Sequence, residues 1–559
     1  MITNIVFLQK HNAYCKNLEC MKTKFFTLFI VALLSIANVE AVVKYYFYVQ
    51  LANKNNTPYS LATPSEYLSA RAIARRANFN IAIDSTDLPI NQSYVSQIAN
   101  LGLTVHCRSK WMNGLTLLVA DSTKMNQVRA LPFVKWAKYT GKIDVAQPAK
   151  ARKSKYDTQV YNYGSSATQL NQINASYLHN LGYTGKNIHV AVLDAGFTNV
   201  NTNHGFDSLR MQGRLLGTKD FTEAIPNIYG SDAHGANVLS IMTGNYPNQY
   251  LGAAPHASFW LIRTEYTPSE YVSETDFWVA GIEFADSVGV DVANSSLGYT
   301  TFDDPSMNYT YANMNGTFSR ASRAATLAAQ KGIIVCNSAG NEGDKTWHYI
   351  GVPADADGIV TVGAATSVGA PSVFTSYGPA ADGRQKPDLS AMGSSTAYIN
   401  TSGALTAGNG TSYSSPIMAG MFACFLQYAK ANFNSYSIET LIQSAKQSAN
   451  LYSAPTVRLG YGIPNFQTAC AYLPANVEIQ KQTDNELHLF RNKESNMLIV
   501  NYKTDEPSSV SLFTLSGMLV YKGTITNNQT TISTTGFATG IYLLKVAGRN
   551  SKHFQKVVL

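Results

Sequence analysis

From about Tyr163 to Tyr472 the chain alternates runs that are apolar throughout with stretches of helix length, the runs being 188–193, 258–263, 290–295, 332–337 and 359–363. A strand with no alternating polar face has no side to give to water, so the pattern predicts an α/β domain with a parallel sheet flanked by helices. Polar groups in open parallel sheets gather beyond the carboxyl ends of the strands. On either side the texture changes. Upstream, 42–49 is aromatic and alternating, 65–77 reads as a helix, 115–120 as a strand and 124–131 as a second helix, together an α+β unit. The polar, basic stretch 147–156 that follows reads as a linker and a candidate cleavage site. Beyond about Asn476, short alternating strands at 509–515, 518–522, 531–533 and 541–546, with turns at Ser516-Gly517 and Thr539-Gly540, predict a small β-sandwich.

A length of 559 residues leaves room for two to four domains, and 45 % apolar against 14 % charged residues excludes a disordered chain. The net charge of +8 partly reflects the chain ends and 150–155; without a sustained basic stripe, no nucleic-acid partner is expected. Met21-Lys-Thr-Lys24 followed by the apolar run 25–37, with Val39-Glu-Ala41 as a small-residue cleavage site, reads as a signal peptide. The run is short for a membrane span, the alternative being an N-terminal anchor. Residues 1–20 precede a second methionine and read as a misassigned start. Two of the six cysteines, Cys15 and Cys20, fall in that leader. Cys107, Cys336, Cys424 and Cys470 show no CxxC spacing, so neither a metal cluster nor a disulfide framework follows.

The chemistry concentrates after the apolar runs. Ile188-His-Val-Ala-Val-Leu-Asp194 ends in a carboxylate, where a turn-forming role competes with a catalytic one. Forty residues on (234 − 194), Asp232-Ala-His234-Gly opens an apolar helix, with Asp232 as the local alternative acid. The run 332–336 leads into Asn337-Ser-Ala-Gly-Asn341-Glu-Gly343, and Gly410-Thr-Ser412 stands before an apolar helix containing Pro416. A hydroxyl at a helix N-terminus lies among free N–H groups and the positive end of the dipole. Asp, His and Ser on one rim, with an amide donor, meet the needs of acyl transfer. His234 takes the Ser412 proton, Asp194 fixes the tautomer, and Asn341 with the serine's own N–H binds the oxyanion.

These blocks resemble the subtilisin-like serine peptidases: Val190–Asp194 for the acid, His234-Gly235 for the base, Asn294-Ser-Ser-Leu-Gly298 for the strand that pairs with substrate, Ser338-Ala-Gly-Asn341 for the oxyanion hole, and Gly410-Thr-Ser412 for the nucleophile. The order Asp, His, Ser agrees with that family, and the likeness covers roughly 163–470. Two departures stand out. His234 is followed by Gly-Ala-Asn where Gly-Thr-His is usual, and the nucleophile block reads Ser-Tyr-Ser-Ser-Pro where Ser-Met-Ala is common. The resemblance implies a secreted serine endopeptidase acting on proteins or peptides. It places Ser296, Leu297 and Gly298 along one wall of the primary specificity pocket, Ser338, Ala339 and Gly340 along the other, and Gly351-Val-Pro353 at its base. A glycine at 351 leaves a deep, mostly apolar slot, which implies a preference for large uncharged side chains. Competing readings are a catalytically idle peptide-binding protein on the same scaffold and a Ser-dependent esterase; the first needs a lost triad member, and the second does not need the substrate-pairing strand.

The same resemblance makes 1–41 a leader and signal peptide, 42–155 a propeptide that inhibits and helps fold the enzyme, and 156–475 the peptidase domain. Residues 476–559 resemble the C-terminal sorting domains of the Bacteroidetes type IX secretion system, through Val510-Ser-Leu-Phe-Thr-Leu-Ser-Gly517, Gly540-Ile-Tyr-Leu-Leu-Lys-Val546 and Gln555-Lys-Val-Val-Leu559. A carbohydrate-binding sandwich is the alternative. The expected partners are substrate, the chain's own propeptide and the secretion machinery, with the protein a monomer at the cell surface or in the medium. The chemistry calls for no cofactor. Structural calcium is common in the family, but no ligand set is placed; Asp303, Asp304 and Asn308 read equally well as an exposed polar loop.

Overall fold

The computed structural model describes residues 43–143, 162–223, 226–433, 435–473, 487–492, 496–502, 507–514, 518–526, 528–538, 540–548 and 552–559. The signal-peptide and linker expectations lie outside these residues, as does the Ser516-Gly517 turn.

The central sheet has seven strands, all parallel, in the spatial order Leu389–Met392, Val360–Ala365, Ile334–Ser338, Val292–Ser295, His189–Asp194, Ser258–Arg263, Leu215–Asp220. The five apolar runs are five of these strands. The edge strands were not foreseen, because Leu215-Leu-Gly-Thr-Lys-Asp220 is half polar and Leu389–Met392 has only four residues. A parallel strand must be reached by a crossover, and helices supply it. Ser273–Ser287 joins Ser258–Arg263 to Val292–Ser295, so it spans the strand that carries Asp194. Its apolar side packs with Arg320–Gln330 and the strands into one core that includes Leu193, Ile262, Trp278, Ile282, Ala324 and Val335. The helix Thr411–Asn432 is buried along most of its length, from Ile417 to Leu426 without a break. Cys336 and Cys424 are small buried residues, as expected from their apolar surroundings.

Residues 44–143 form a four-stranded antiparallel sheet, order Thr104–Ser109, Gly114–Val119, Lys44–Leu51, Val134–Ile143, with helices Ala70–Asn78 and Gln92–Ala99. The expected helix at 65–77 begins later, at Ala70, because Ser69 caps it by accepting the Ala72 N–H. One face of the sheet lies on the Ser273–Ser287 helix, with Tyr46, Cys107 and Ile143 packed on Phe277 and Ala280. Trp111 enters the core of the α/β domain. The contact is also ionic. Asp286, fully buried, meets the Arg75 guanidinium, Arg76 at 2.9 Å and Lys110 at 3.5 Å. Glu283 accepts from Ser109 Oγ (2.6 Å) and from the N–H groups of Lys110 (2.8 Å) and Trp111 (3.1 Å), and burial pushes its carboxyl up to about 7.

The C-terminal strands form a compact unit of their own. Two antiparallel sheets, of three strands (Leu487–Asn492, Met497–Tyr502, Gln529–Ser533) and four (Leu519–Ile525, Ser508–Thr514, Ile541–Ala547, Lys552–Val558), share a core of Leu498, Val500, Leu512, Ile532 and Leu544. Among the described residues no helix is long and apolar enough to cross a membrane.

Candidate active site

The strand His189–Asp194 ends with Asp194 fully buried at the carboxyl edge of the sheet. Its Oδ1 accepts the Ala195 N–H at 2.8 Å and meets His234 Nδ1 at 2.7 Å. A carboxylate against Nδ1 keeps the proton on that nitrogen and leaves Nε2 as the acceptor. The approach is close because residue 235 is glycine: a Cβ there would stand 2.4 Å from the Gly196 carbonyl oxygen and 2.8 Å from Asp194 Cβ. The other acid is committed elsewhere. Asp232 Oδ1 accepts the His234 backbone N–H at 2.7 Å, at the start of the helix His234–Thr243. Burial opposes the imidazolium, but the charge of Asp194 and its hydrogen bond outweigh it, and the His234 pKa lies above the ordinary histidine value.

Ser412 is the second residue of the helix Thr411–Asn432. Pro416 has no N–H to offer the Ser412 carbonyl one turn back, and Ser296 Oγ fills the gap by donating to that carbonyl at 3.0 Å. The Ser412 hydroxyl in turn donates to the Ser296 carbonyl at 3.3 Å, so its proton is engaged there at rest. The catalytic hydrogen bonds of an enzyme without substrate are often long or poorly aligned and tighten only when substrate is bound. Ser415 Oγ donates to Asn294 Oδ1 (2.9 Å), and Asn294 Nδ2 to Ser296 Oγ (3.1 Å), which pins the helix start to the end of the Val292–Ser295 strand.

Asn341 lies beyond the Ile334–Ser338 strand. Its Oδ1 accepts both the Thr411 N–H (2.8 Å) and the Thr411 hydroxyl (2.9 Å), which fixes the amide and leaves Nδ2 free to donate. A Cβ on Gly410 would stand 3.6 Å from the Ser412 nitrogen and 3.7 Å from Asn341 Nδ2. The two nitrogens thus lie close to one point beside Gly410, a placement suited to a pair of oxyanion donors. Gly340 has φ +108 and touches Ser376, whose Oγ accepts the Glu342 N–H at 3.0 Å; a Cβ at 340 would lie 2.7 Å from that oxygen. Sequence reasoning missed Thr411 and Ser376. Thr411 was legible in principle, since it sits inside the Gly-Thr-Ser block.

Of the expected pocket residues, Gly298 is exposed, Leu297 half-buried, and Ser296, Ser338, Ala339 and Gly351 buried. The two walls are tied by Asn337 Nδ2, which donates to the Leu297 carbonyl at 3.1 Å. The base is tied to the first wall by paired backbone bonds between Tyr299 and Val352, 2.9 and 3.2 Å. A Cβ on Gly351 would meet Thr300 Cγ2 at 3.0 Å and the Tyr299 carbonyl oxygen at 3.1 Å. Ala339 packs into a buried cluster with Ile350, Ala354 and Ala380, and its N–H donates to the Val362 carbonyl at 2.9 Å.

Asp303, Asp304 and Asn308 shape a loop. Their oxygens accept from the backbone of Glu270 (3.3 Å), Ser306 (3.0 Å) and Phe302 (2.7 Å). Among the described residues, Glu265, Glu270 and Glu274 bring three carboxylates within 4.8 Å of one another, an all-oxygen set of the type that holds a hard cation. Burial raises all three carboxyls; Glu265 and Glu274 are raised further by their carboxylate neighbours in the group, and Glu270, by burial and the charge of Asp303, goes to about 7.

Residues 185–462 match the model of the subtilase family. Residues 46–158 match a peptidase S8 propeptide domain of Bacteroidota, and 489–559 a secretion system C-terminal sorting domain. Subtilisin NAT of Bacillus subtilis subsp. natto is 28 % identical over 303 residues, 54 % of this chain and 70 % of its own. Subtilisin of Bacillus pumilus has the same identity over the same length, there 97 % of the relative. Serine protease AprX of Bacillus subtilis is 24 % identical over 315 residues, half of this chain and 67 % of its own.

Proposed function

We infer that this chain, which belongs to the subtilase family and is a serine endopeptidase, cleaves peptide bonds with Ser412 as nucleophile, His234 as base, Asp194 as orienting acid and Asn341 as oxyanion donor. The observation that carries the assignment is the 2.7 Å contact of Asp194 with His234 Nδ1, together with the Ser412 nitrogen and Asn341 Nδ2 lying within 3.7 Å of one point beside Gly410. Ser412 Oγ leaves the Ser296 carbonyl, gives its proton to His234 Nε2 and attacks the substrate carbonyl. The tetrahedral oxyanion is held by the Ser412 N–H and Asn341 Nδ2. His234 then returns the proton to the leaving amine, and an acyl-enzyme remains for water to hydrolyse by the same proton route. No step needs a metal or a second copy of the chain, and we take the enzyme to act as a monomer.

The propeptide covers the Ser273–Ser287 helix and keeps the enzyme a zymogen until it is removed, and the type IX sorting domain directs export to the surface or the medium. The pocket closed by Gly351 favours large uncharged side chains before the scissile bond; near-equal cleavage of acidic and aromatic peptides by the mature enzyme would contradict that preference. The assignment is tested by casein hydrolysis and mass analysis of secreted wild type against Ser412→Ala. The variant is expected to lose activity and to keep its propeptide covalently attached. Equal trimming and equal activity of both proteins would overturn it.

A further inference from the structure

The two places where the sequence leaves the usual pattern of its family, Asn237 after the base and Tyr413 after the nucleophile, meet in space. Tyr413 lies over His234, with ring centroids 6.4 Å apart and planes 29° from parallel. Behind it Tyr398 stacks at 5.0 Å and 17°. The Asn237 side-chain amide, one turn along the base helix, faces the Tyr413 hydroxyl. Tyr398 is held in turn by its strand. Thr396–Ile399 pairs with Leu405–Gly408, and the Ile399 N–H donates to Ser240 Oγ of the base helix at 3.0 Å. Gly408 makes room for the stack, since a Cβ there would stand 2.7 Å from the Tyr413 ring and 3.0 Å from the Tyr398 ring. Asn237, Ser240 and His234 thus belong to one helix, and the aromatic pair is anchored to it at two points.

We propose that Tyr413 is a positioning residue for His234: backed by Tyr398, its ring stands beside the imidazole, near-parallel to it, and limits its swing out of the plane that serves both Asp194 and Ser412. The proposal rests on His234 being the base. Imidazole is otherwise held by one hydrogen bond at Nδ1, about which it can swing. A ring 6.4 Å away between centroids and 29° from parallel narrows that freedom, and offset aromatic pairs are worth enough to change a rate about three- to tenfold.

The test compares full-length, self-processed wild type with Tyr413→Leu, Tyr413→Phe, Tyr398→Leu and Ser412→Ala on a short peptide substrate. Tyr413→Leu is expected to lower kcat about three- to tenfold with KM within twofold, to shift the acid limb of the kcat/KM profile, and to broaden the low-field Nδ1–H proton resonance of His234. Tyr413→Phe keeps the ring and is expected to recover most of the loss. Tyr398→Leu leaves Tyr413 in place but unbacked, and is expected to show a smaller loss of the same kind, which keeps the test open if Tyr413→Leu fails to fold. Wild-type kcat, pH profile and resonance in both leucine variants would overturn the proposal while Ser412→Ala remains inactive. An active Ser412→Ala would instead overturn the reading on which it rests.

Discussion

Asp286 is the residue whose change most sharply tests how the propeptide is held. It is fully buried between the two domains and faces Arg75, Arg76 and Lys110, all from the propeptide. The three cations are not equally dependent on it. Arg76 also reaches Asp87 at 3.0 Å and Lys110 reaches Ser287 Oγ at 2.9 Å, but among the described residues Arg75 pairs with no second carboxylate and otherwise donates to the carbonyls of Lys331, Asp286 and Val290. In Asp286→Asn the complex must bury the Arg75 guanidinium against neutral oxygens. Removing one partner of a buried pair costs about 3–5 kcal/mol, or roughly 100- to 3,000-fold in affinity. Arg71→Ala is the contrast within the same interface. Its side chain is 32 % exposed, and Asp291 keeps Lys430 at 2.8 Å, so the loss there is about 1 kcal/mol or less, roughly fivefold. The assay dilutes the processed, non-covalent complex and records the protein concentration at which activity on a fluorogenic peptide appears. For Asp286→Asn that concentration is expected at least about 100-fold above wild type. A shift of less than threefold, in a mature enzyme with wild-type kcat, would refute the view that this ion cluster holds the propeptide.

Two further outcomes follow from the site. As the proposed base His234 must be neutral to accept a proton, and Asp194 raises its pKa, so kcat/KM is expected to climb with pH to a midpoint above about 6.5, the value of free histidine; Asp194→Asn is expected to move that midpoint down and cut kcat by about three to four orders of magnitude, and an unmoved midpoint would exclude His234 as the titrating group. Glu270 lies near 7 when folded against about 4.3 for a free glutamate, so its penalty is absent below pH 4.3, grows as pH rises through 7 and is constant above. In an inactive Ser412→Ala background, Glu270→Gln is therefore expected to raise Tm by about 2–4 °C at pH 8 and hardly at pH 4.5; a lower Tm at pH 8 would mean that the carboxylate works paired with a cation.

The parts of this protein that were legible in the sequence are those whose partners lie nearby in the chain or whose environment is uniform. A strand buried on both faces announces itself by composition, and Asp194, His234, Asn341 and Ser412 each stand next to such a run or at a helix start. What stayed hidden depends on residues far apart. Arg75 and Arg76 look like the charged face of a surface helix, yet both are buried because Asp286, about two hundred residues on, comes to meet them. The strand Val134–Ile143 was missed for a similar reason: Lys135, Lys138 and Lys142 give it the look of a solvent-exposed stretch, and only its pairing with Lys44–Leu51 reveals the apolar side. Asn237 and Tyr413 were seen as departures, but that they form one contact follows only from the distance between two helix starts.

The placement of the propeptide supplies a physical reason for needing one. The strand that carries Asp194 lies between Ser258–Arg263 and Val292–Ser295, which are consecutive in the chain and connected only through the Ser273–Ser287 helix. Until that helix settles on the sheet, neither neighbour of the acid strand is fixed, and a parallel pairing of this kind is slow because the loop must close before any contact repays it. The helix is a poor candidate to settle unaided. It carries Glu274, Asp276, Glu283 and Asp286, and in the assembled protein all four are buried; Glu274 accepts the Tyr266 N–H at 2.8 Å. Asp276 finds Arg320 at 2.5 Å, but Glu283 and the side chain of Asp286 take their named partners from the propeptide: Ser109, Lys110 and Trp111 for the first, Arg75, Arg76 and Lys110 for the second. Binding the propeptide therefore turns two carboxylates on the crossover into anchor points, and covers Phe277 and Ala280 at the same time. Once the sheet is closed, the strands hold one another and the helix packs on its own core of Trp278 and Ile282. Removal of the propeptide then returns those two carboxylates to water, where their charge is no longer a burden.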